Sequence, residues 1–182
     1  MILEKIIADL ISFESISERE NIPLLHYISN YLKKYNIDSK ILNKEKNRAN
    51  LYARIGPNKS GGIMLSGHTD VVPVTGQSWS TNPFKLVKKN NKLFARGSCD
   101  MKSFIGIVLF LVPKMVQAHL KKPIHIMFSY DEEIGCVGIQ KAIPFLSEMK
   151  KKPDSCIVGE PTEMKVVTQH KGKKNFLVTF NG

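Results

Sequence analysis

Cysteine is scarce in this sequence, and long apolar runs are missing from it. Its three cysteines, at positions 99, 136 and 156, are odd in number, and none stands in a CxxC pair. A disulfide framework or a cysteine-based structural zinc site is therefore not expected. The sequence instead predicts a reducing, cytoplasmic location. The longest apolar run, 104–113, has ten residues, whereas a bilayer span needs about 20. The sequence thus predicts no membrane association.

Glycine, proline and arginine are also too few for several classes of protein. The 12 glycines and 9 prolines exclude a collagen-like or low-complexity chain, and a hydrophobic content of 42% argues against general disorder. Only four of the 27 basic residues are arginine, so the net charge of +11 comes mainly from lysine. Arginine is the better residue for bidentate recognition of bases and phosphates. We therefore expect solvated surface lysines, and a nucleic-acid-binding module is the least favoured alternative.

Apolar periodicity and turn residues predict alternating helices and strands. Helices are expected over 2–11, over 103–116 and over 139–149, where Pro144 should kink or split the helix. Ser17 and Glu20 have the spacing of a capping box, which would open a further helix ending near 35–36. Strands are expected at 39–42, 50–55, 62–66, 123–130, 155–159, 166–169 and 176–180, with a hairpin formed by 84–88 and 92–95. This order predicts an α/β fold, with a mixed, mostly parallel sheet and helices on both faces.

Four segments share one design, in which apolar residues lead into small residues and then into acids or a histidine. We expect each to be a strand ending at the same edge of the sheet, where α/β proteins bind ligands. The set contains one imidazole and five carboxylates: His68, Asp70, Asp100, Glu132, Glu133 and Glu160. Five carboxylates in one place repel one another and resist desolvation unless a divalent cation joins them. Imidazole with carboxylates suits Zn, Mn or Co better than Ca or Mg.

Spacing within the segments suggests a division of roles. His68 and Asp70 are two residues apart, so in extended chain both face the same side, the histidine as ligand and the aspartate as its support. Glu132 and Glu133 diverge, so that one can bind metal while the other acts as general base towards water. Taken singly, each residue has a plainer interpretation, such as a helix N-cap for Asp100. These interpretations would have to coincide at four strand ends.

Cysteines adjoin two of these segments. Cys99 precedes Asp100, and Cys136 follows the glutamate pair by three residues. Free cysteine behaves as a small hydrophobic residue and is among the most buried residue types. We therefore expect both side chains to be packed in apolar surroundings rather than to take part in the chemistry.

Five motifs follow one another along the chain, and together they are specific. They are SGHTDVVPV at 66–74, WSTNPF at 79–84, GSCDMK at 97–102, DEE at 131–133 and GEPT at 159–162, the last followed by HKG at 170–172. Over essentially its whole length the sequence resembles the M20 family of di-zinc aminoacylases and carboxypeptidases. The resemblance implies a zinc-peptidase-like catalytic domain.

The resemblance also implies a set of metal ligands. His68 and Glu160 would bind a first zinc, Asp100 would bridge two zinc ions, and Glu133 would bind the second. Cobalt or manganese are alternative ions. Three protein ligands are usual for a catalytic zinc, and this sequence supplies only two for the second ion, so that site is expected to be weak or empty.

The activity that the resemblance implies is hydrolysis of the amide bond of an N-acyl amino acid. Asp70 would support the histidine ligand, and Glu132 would be the general base that passes the proton of a metal-bound hydroxide to the leaving amine. The peptide bond between Asp100 and Met101 would be cis. N-acetylornithine, a substrate in arginine biosynthesis, is the first expected substrate, and N-succinyl-diaminopimelate is the alternative.

The sequence departs from the family in length. Family members add a lid or dimerisation domain and then return to the catalytic domain with a further histidine ligand. We therefore expect 1–172 to be the N-terminal part of a catalytic metal-binding domain, and 173–182 to begin a lid domain that is otherwise absent. Two alternatives are a non-catalytic remnant and one half of a two-chain enzyme, whose partner supplies the lid and the last histidine.

Overall fold

Four helices and seven strands make up the regular structure of the residues that the structure describes. The computed structural model describes residues 3–169, 171–172 and 176–180. In chain order the elements are α1 Leu3–Ile11, α2 Ile22–Lys33, β1 Ser39–Glu45, β2 Arg48–Ile55, β3 Ile63–His68, β4 Val87–Lys89, β5 Lys92–Phe94, α3 Lys102–Gln117, β6 Ile124–Ser129, α4 Val137–Glu148 and β7 Ser155–Val158. Among the described residues, no helix has the length and apolar character needed to cross a bilayer.

The central sheet has five strands in the order β1-β2-β6-β3-β7. Antiparallel pairing joins β1 to β2 and β2 to β6, whereas β3 is parallel to both β6 and β7. The carboxyl ends of β3, β6 and β7 therefore meet at one edge. Strands β4 and β5 form a separate antiparallel hairpin. The predicted α/β class with a mixed sheet is confirmed.

Helices cover both faces of the sheet, but unequally. One face packs against α1, α2 and α3 around a large core whose members include Leu10, Leu25 and Leu109. The other face packs against α4 through a much smaller cluster. Alternation along β2 explains the division, because Leu51 and Ala53 face the large core while Tyr52 between them faces α4.

The capping box predicted for α2 is wrong. The residue before the helix is Asn21, whose side chain makes no cap hydrogen bond, and proline stands in the first turn. Asn21 instead donates its side-chain amide to Ala49 O and to Thr69 Oγ1, both at 2.9 Å. Ser17 is bound to a distant carboxylate, as described below. Ser17 and Asn21 therefore form hydrogen bonds with residues distant in sequence instead of capping the helix.

Three further predictions on the last third of the chain meet different outcomes. Helix α4 is continuous past Pro144 and is not split. The strands predicted at 166–169 and 176–180 are absent, since these described residues pair neither with the free edge of β7 nor with any other strand, and a strand needs a paired neighbour for its backbone groups. His170 and parts of the predicted segment 173–182 lie outside the described residues.

Candidate metal centre

His68 is the last residue of β3, and its side chain is almost fully buried. Its Nδ1 lies 2.9 Å from the backbone oxygen of Asp70. A carbonyl oxygen only accepts hydrogen bonds, so Nδ1 carries a proton and donates it there. Nε2 points the other way and lies 3.0 Å from Oδ1 of Asp100. In the neutral imidazole, Nε2 is therefore the nitrogen whose lone pair can bind a metal.

Asp70 is buried behind the histidine and gathers hydrogen bonds from three donors. Its Oδ1 accepts the backbone N–H of Glu132 at 3.0 Å, and its Oδ2 accepts the Ser17 hydroxyl at 2.8 Å and the backbone N–H of Glu133 at 3.3 Å. Burial opposes the charge of Asp70, but the His68 side chain, whose Nδ1 lies 3.5 Å from Oδ1, and the hydrogen bonds from the Glu132 amide and Ser17 lower the pKa of its carboxyl group. The carboxylate thus stays ionised inside the protein.

Asp100 does not end a strand of the central sheet, so that part of the sequence prediction is wrong. It lies in the turn between the β4–β5 hairpin and α3. The N-cap of α3 is Met101, which makes no side-chain cap bond, so the plainer interpretation of Asp100 as a helix cap also fails. The peptide bond between Asp100 and Met101 is cis, as the resemblance implied. A turn, rather than a strand, brings Asp100 to His68.

Glu132 and Glu133 follow β6 in a turn closed by the hydrogen bond from the Gly135 N–H to Glu132 O, 2.9 Å long. The thiol of Cys136 donates to Oε1 of Glu132 at 3.3 Å. All three cysteines are exposed, so the prediction that Cys99 and Cys136 are packed hydrophobic residues is wrong. The site holds Cys136 in a polar contact instead.

Glu160 reaches the centre because β7 ends close against α3. Gly159 donates its N–H to Ser66 O at 3.0 Å, which continues the pairing with β3. A Cβ atom at position 159 would lie 2.1 Å from a ring carbon of Phe104, so no larger residue fits without displacing that ring. The glycine before the glutamate is therefore required by the approach of the strand to the helix.

The five predicted carboxylate residues lie close to His68. Measured from Nε2 of His68, the nearest carboxylate oxygens lie at 3.0 Å in Asp100, 3.7 Å in Glu160 and 4.0 Å in Glu132. Among the described residues, two sets have ligand atoms that all lie within 4.8 Å of one another: His68, Glu132 and Glu160, and His68, Asp100 and Glu133. Asp70 belongs to neither set and lies on the Nδ1 side of His68.

The electrostatics of this cluster favour a bound cation. Burial opposes the charged form of His68, but hydrogen bonds to Asp100 and Asp70 outweigh it and raise its pKa to about 11. Burial and the neighbouring carboxylate of Asp100 raise the pKa of Glu133 to about 7, and burial with nearby carboxylates also raises the pKa of Glu160. The acids resist ionising together. A divalent ion would relieve this repulsion, and the donor set of one imidazole and carboxylates fits it.

Arg48 and Asp131 form an ion pair that the sequence analysis missed. The side chain of Asp131 is 2% exposed and that of Arg48 is 15% exposed, and NH1 of the arginine contacts Oδ2 of the aspartate. Oδ1 of Asp131 accepts the backbone N–H of Glu18 at 2.8 Å. Asp131 directly precedes the glutamate pair, so the ion pair fixes the start of that turn. Its sequence signal was an arginine opening a strand in a chain whose basic residues are mostly lysine.

Lys102 is a second missed residue. It is fully buried, and its Nζ donates to Phe13 O at 2.7 Å and to Leu10 O at 3.3 Å, near the end of α1. Burial lowers its pKa to about 7, against the opposing effect of Asp70. The ammonium ties the turn that carries Asp100 to α1. A lysine at the start of an apolar helix was the available signal.

Comparison with known proteins identifies the chain. Residues 64–172 match the model of peptidase family M20/M25/M40. Acetylornithine deacetylase of Buchnera aphidicola subsp. Schizaphis graminum is 36% identical over 98% of this chain and 48% of its own length. That of Pasteurella multocida is 34% identical over 85% of this chain and 40% of its own length. The chain belongs to the M20 family of hydrolases.

Solved structures give the same assignment. An M20 metallo-carboxypeptidase of Sulfolobus solfataricus superposes with a TM-score of 0.75 at 26% identity, over 87% of this chain and 37% of that protein. Human carnosine dipeptidase 1 superposes with a TM-score of 0.73 at 17% identity, over 86% of this chain and 37% of that one, and shows the fold alone. The chain spans about half the length of the curated relatives it matches.

Proposed function

We propose that this chain carries the metal-binding half of a zinc-dependent hydrolase of N-acyl amino acids, of the acetylornithine deacetylase type. The observation that carries the proposal is the cluster around Nε2 of His68, where carboxylate oxygens of three acids lie between 3.0 and 4.0 Å away. Support comes from the relatives named acetylornithine deacetylase, which are similar over nearly the whole chain.

The proposed ligands are four. We propose that His68 and Glu160 hold one ion, that Glu133 holds the other, and that Asp100 bridges them. The distances are compatible with this assignment, although the two compact sets pair Asp100 with Glu133 and place Glu160 beside Glu132. A zinc ion there would polarise the acyl carbonyl and make a water molecule acidic.

Glu132 is the proposed general base. Its side chain is about one-third exposed, so it can reach both solvent and substrate. Its backbone is held by the Asp70 carboxylate and its Oε1 by the Cys136 thiol. From that position it would take the proton of the attacking water and deliver it to the nitrogen of the leaving amine. Asp70 would keep the His68 imidazole oriented throughout.

N-acetylornithine is the proposed substrate, giving ornithine and acetate, and a cytoplasmic role in arginine biosynthesis remains a prediction. N-succinyl-diaminopimelate is the alternative acyl amino acid. We also propose that 1–172 belong to the catalytic domain and that 173–182 lead towards a lid domain. The relatives are about twice as long, and the supply of a further histidine and a lid by a second chain remains a prediction.

The test is release of ornithine from N-acetylornithine by the purified chain with zinc or cobalt added. Removing a general base typically lowers the rate by about 10²–10⁴-fold, so Glu132→Gln should lose nearly all turnover. The matched control is Glu148→Gln, an exposed glutamate at the end of α4, which should leave the rate unchanged. Turnover that is equal in the wild type and Glu132→Gln would contradict the proposal, whereas release no faster than in metal-containing buffer would mean that this half does not act alone.

A further inference from the structure

The connection between α1 and α2 lies against the residues that follow β3. Ile16 and Val71 form an isolated parallel bridge, with Val71 N–H donating to Ser15 O at 3.0 Å and Ser17 N–H donating to Val71 O at 3.1 Å. The Ser15 hydroxyl donates to Thr69 O at 2.6 Å. A short stretch near the N-terminus is thus fixed beside the metal centre by backbone hydrogen bonds.

This placement brings Ser17 within hydrogen-bonding distance of the buried carboxylate of Asp70. Its hydroxyl donates to Oδ2 of Asp70 at 2.8 Å, and both side chains are buried. The same carboxylate accepts the backbone N–H groups of Glu132 and Glu133. One buried carboxylate therefore joins three separate parts of the chain: the α1–α2 connection, the end of β3 and the turn after β6.

The rotation of that carboxylate depends on Ser17. Oδ2 has two donors, the hydroxyl at 2.8 Å and the longer contact from the Glu133 amide at 3.3 Å. Without the hydroxyl, the longer contact alone would hold Oδ2. Hydrogen bonds to a buried ionised group are strong and directional. A turned Asp70 carboxylate would release the amides of both glutamates and weaken its approach to His68.

The next residue binds the same turn from its other side. The backbone N–H of Glu18, whose φ is 67°, donates to Oδ1 of Asp131 at 2.8 Å. Asp70 and Asp131 therefore receive adjacent groups of one segment, and these two aspartates flank the position of the glutamate pair. This arrangement is independent of any metal, since it involves only protein groups.

We propose that Ser17 is a positioning residue of the metal centre. It acts through Asp70, by fixing the carboxylate that orients His68 and holds the backbone of Glu132 and Glu133. The part of this inference that concerns metal affinity rests on the proposed function. The part that concerns the turn does not, so the two can be tested apart.

The first measurement is cobalt affinity, followed through the visible absorption of bound Co²⁺. Loss of a group that orients a metal ligand typically weakens binding about 10- to 100-fold, and we expect this range for Ser17→Ala. Ser17→Thr keeps the hydroxyl and should restore affinity. The matched control is Ser15→Ala, which removes a buried hydroxyl two residues away that donates to a backbone carbonyl; it should change affinity by less than about twofold.

The second measurement uses metal-free protein and follows hydrogen exchange of the Glu132 and Glu133 amides. Ser17→Ala should lower their protection roughly tenfold, while Ser17→Thr and Ser15→Ala retain it. If the wild type binds no cobalt, the proposed function fails and exchange alone decides the role of Ser17. If Ser17→Ala does not fold, Ser17→Cys, a weaker donor of similar size, takes its place. Unchanged protection in the donor-deficient variant, or an equal loss in Ser15→Ala, would overturn the inference.

Discussion

Two parts of the candidate metal centre differ in how the protein holds them. The floor consists of His68 and Asp70, whose side chains are 2–3% exposed and whose polar atoms have protein partners. The rim consists of Asp100, Glu132, Glu133 and Glu160. Three of its side chains are between 35% and 48% exposed, and burial with mutual repulsion raises the pKa of Glu133 and Glu160.

This difference predicts separate effects on the stability of the fold and on metal binding. The floor is built by the fold itself, because its donors and acceptors are matched without an ion. The rim consists of neighbouring carboxylates, whose mutual repulsion costs free energy until a cation neutralises their charge. Changes in the floor should therefore destabilise the metal-free protein, whereas changes in the rim should mainly weaken metal binding.

The largest expected effect is from Asp70→Ala in the floor. The substitution removes the acceptor of three hydrogen bonds and one of the carboxylates that stabilise the charge of the buried histidine. Breaking a buried ion pair from one side costs about 3–5 kcal/mol, and we expect that loss in the free energy of unfolding. Urea denaturation of metal-free protein measures it. Asp38→Ala, at an exposed aspartate, should be close to the wild type; equal losses in the two variants would contradict the distinction.

The next effect is expected at the ion pair that fixes the start of the turn carrying Glu132 and Glu133. Arg48→Met leaves the buried Asp131 with the Glu18 amide as its remaining described partner. A hydrogen bond to a charged group contributes about 1.5–3 kcal/mol, so unfolding should become easier by about 2 kcal/mol. The exposed Arg19 provides the control through Arg19→Met. A loss no larger than that of the control would mean that the ion pair does not hold the turn.

Much of this architecture was predictable because its signals are local. Apolar runs predicted β2, β3, β6 and β7, and small residues followed by acids predicted which strand ends bring carboxylates towards His68. His68 and Glu160 were brought together by parallel pairing alone. Asp100 reached the same place by another route, since its preceding hairpin is separate from the central sheet.

The remainder depends on partners far away in the sequence. Ser17 has the spacing of a local helix cap, yet its acceptor is 53 residues away. Lys102 opens an apolar helix, but the sequence does not show its acceptors, which are carbonyl groups at the end of α1. The alternation at 176–180 fits a strand, but pairing also requires a neighbour. Periodicity indicates which face of a helix or strand is apolar, but it does not indicate which distant residues will pack or pair with it.

Lys102 ties the turn that carries Asp100 to α1, and it should give the metal-free protein a pH dependence. Its pKa is lowered to about 7 in the fold, from 10.5. Between these values the unfolded chain binds more protons, so this contribution to stability increases as pH rises and is lost as pH falls towards 7. The difference in unfolding free energy between the wild type and Lys102→Met should therefore change by up to about 1 kcal/mol per pH unit. Parallel stability curves from pH 7 to 10 would contradict it.

The smallest effect on stability is expected in the rim, and its sign is opposite to that in the floor. The pKa of Glu133 is raised to about 7 from 4.5, so the folded metal-free protein holds the proton more tightly than the unfolded chain and loses stability as pH rises from about 4.5 through 7. Glu133→Gln should remove that loss and stabilise the metal-free protein at pH 8 by a few tenths of a kcal/mol, since solvent screens this half-exposed group.

Metal binding by the same variant completes the comparison. Glu133→Gln replaces the carboxylate of a proposed ligand with a neutral amide, so we expect cobalt to bind roughly 10-fold more weakly even though the metal-free fold is slightly more stable. Thermal unfolding with chelator and then with excess cobalt measures both quantities on one sample, because a ligand that binds the folded state raises its stability with concentration. Glu163→Gln, at an exposed glutamate near the same edge, serves as the control. A rim variant that lowered stability without metal as much as Asp70→Ala does would show that floor and rim are one structural unit.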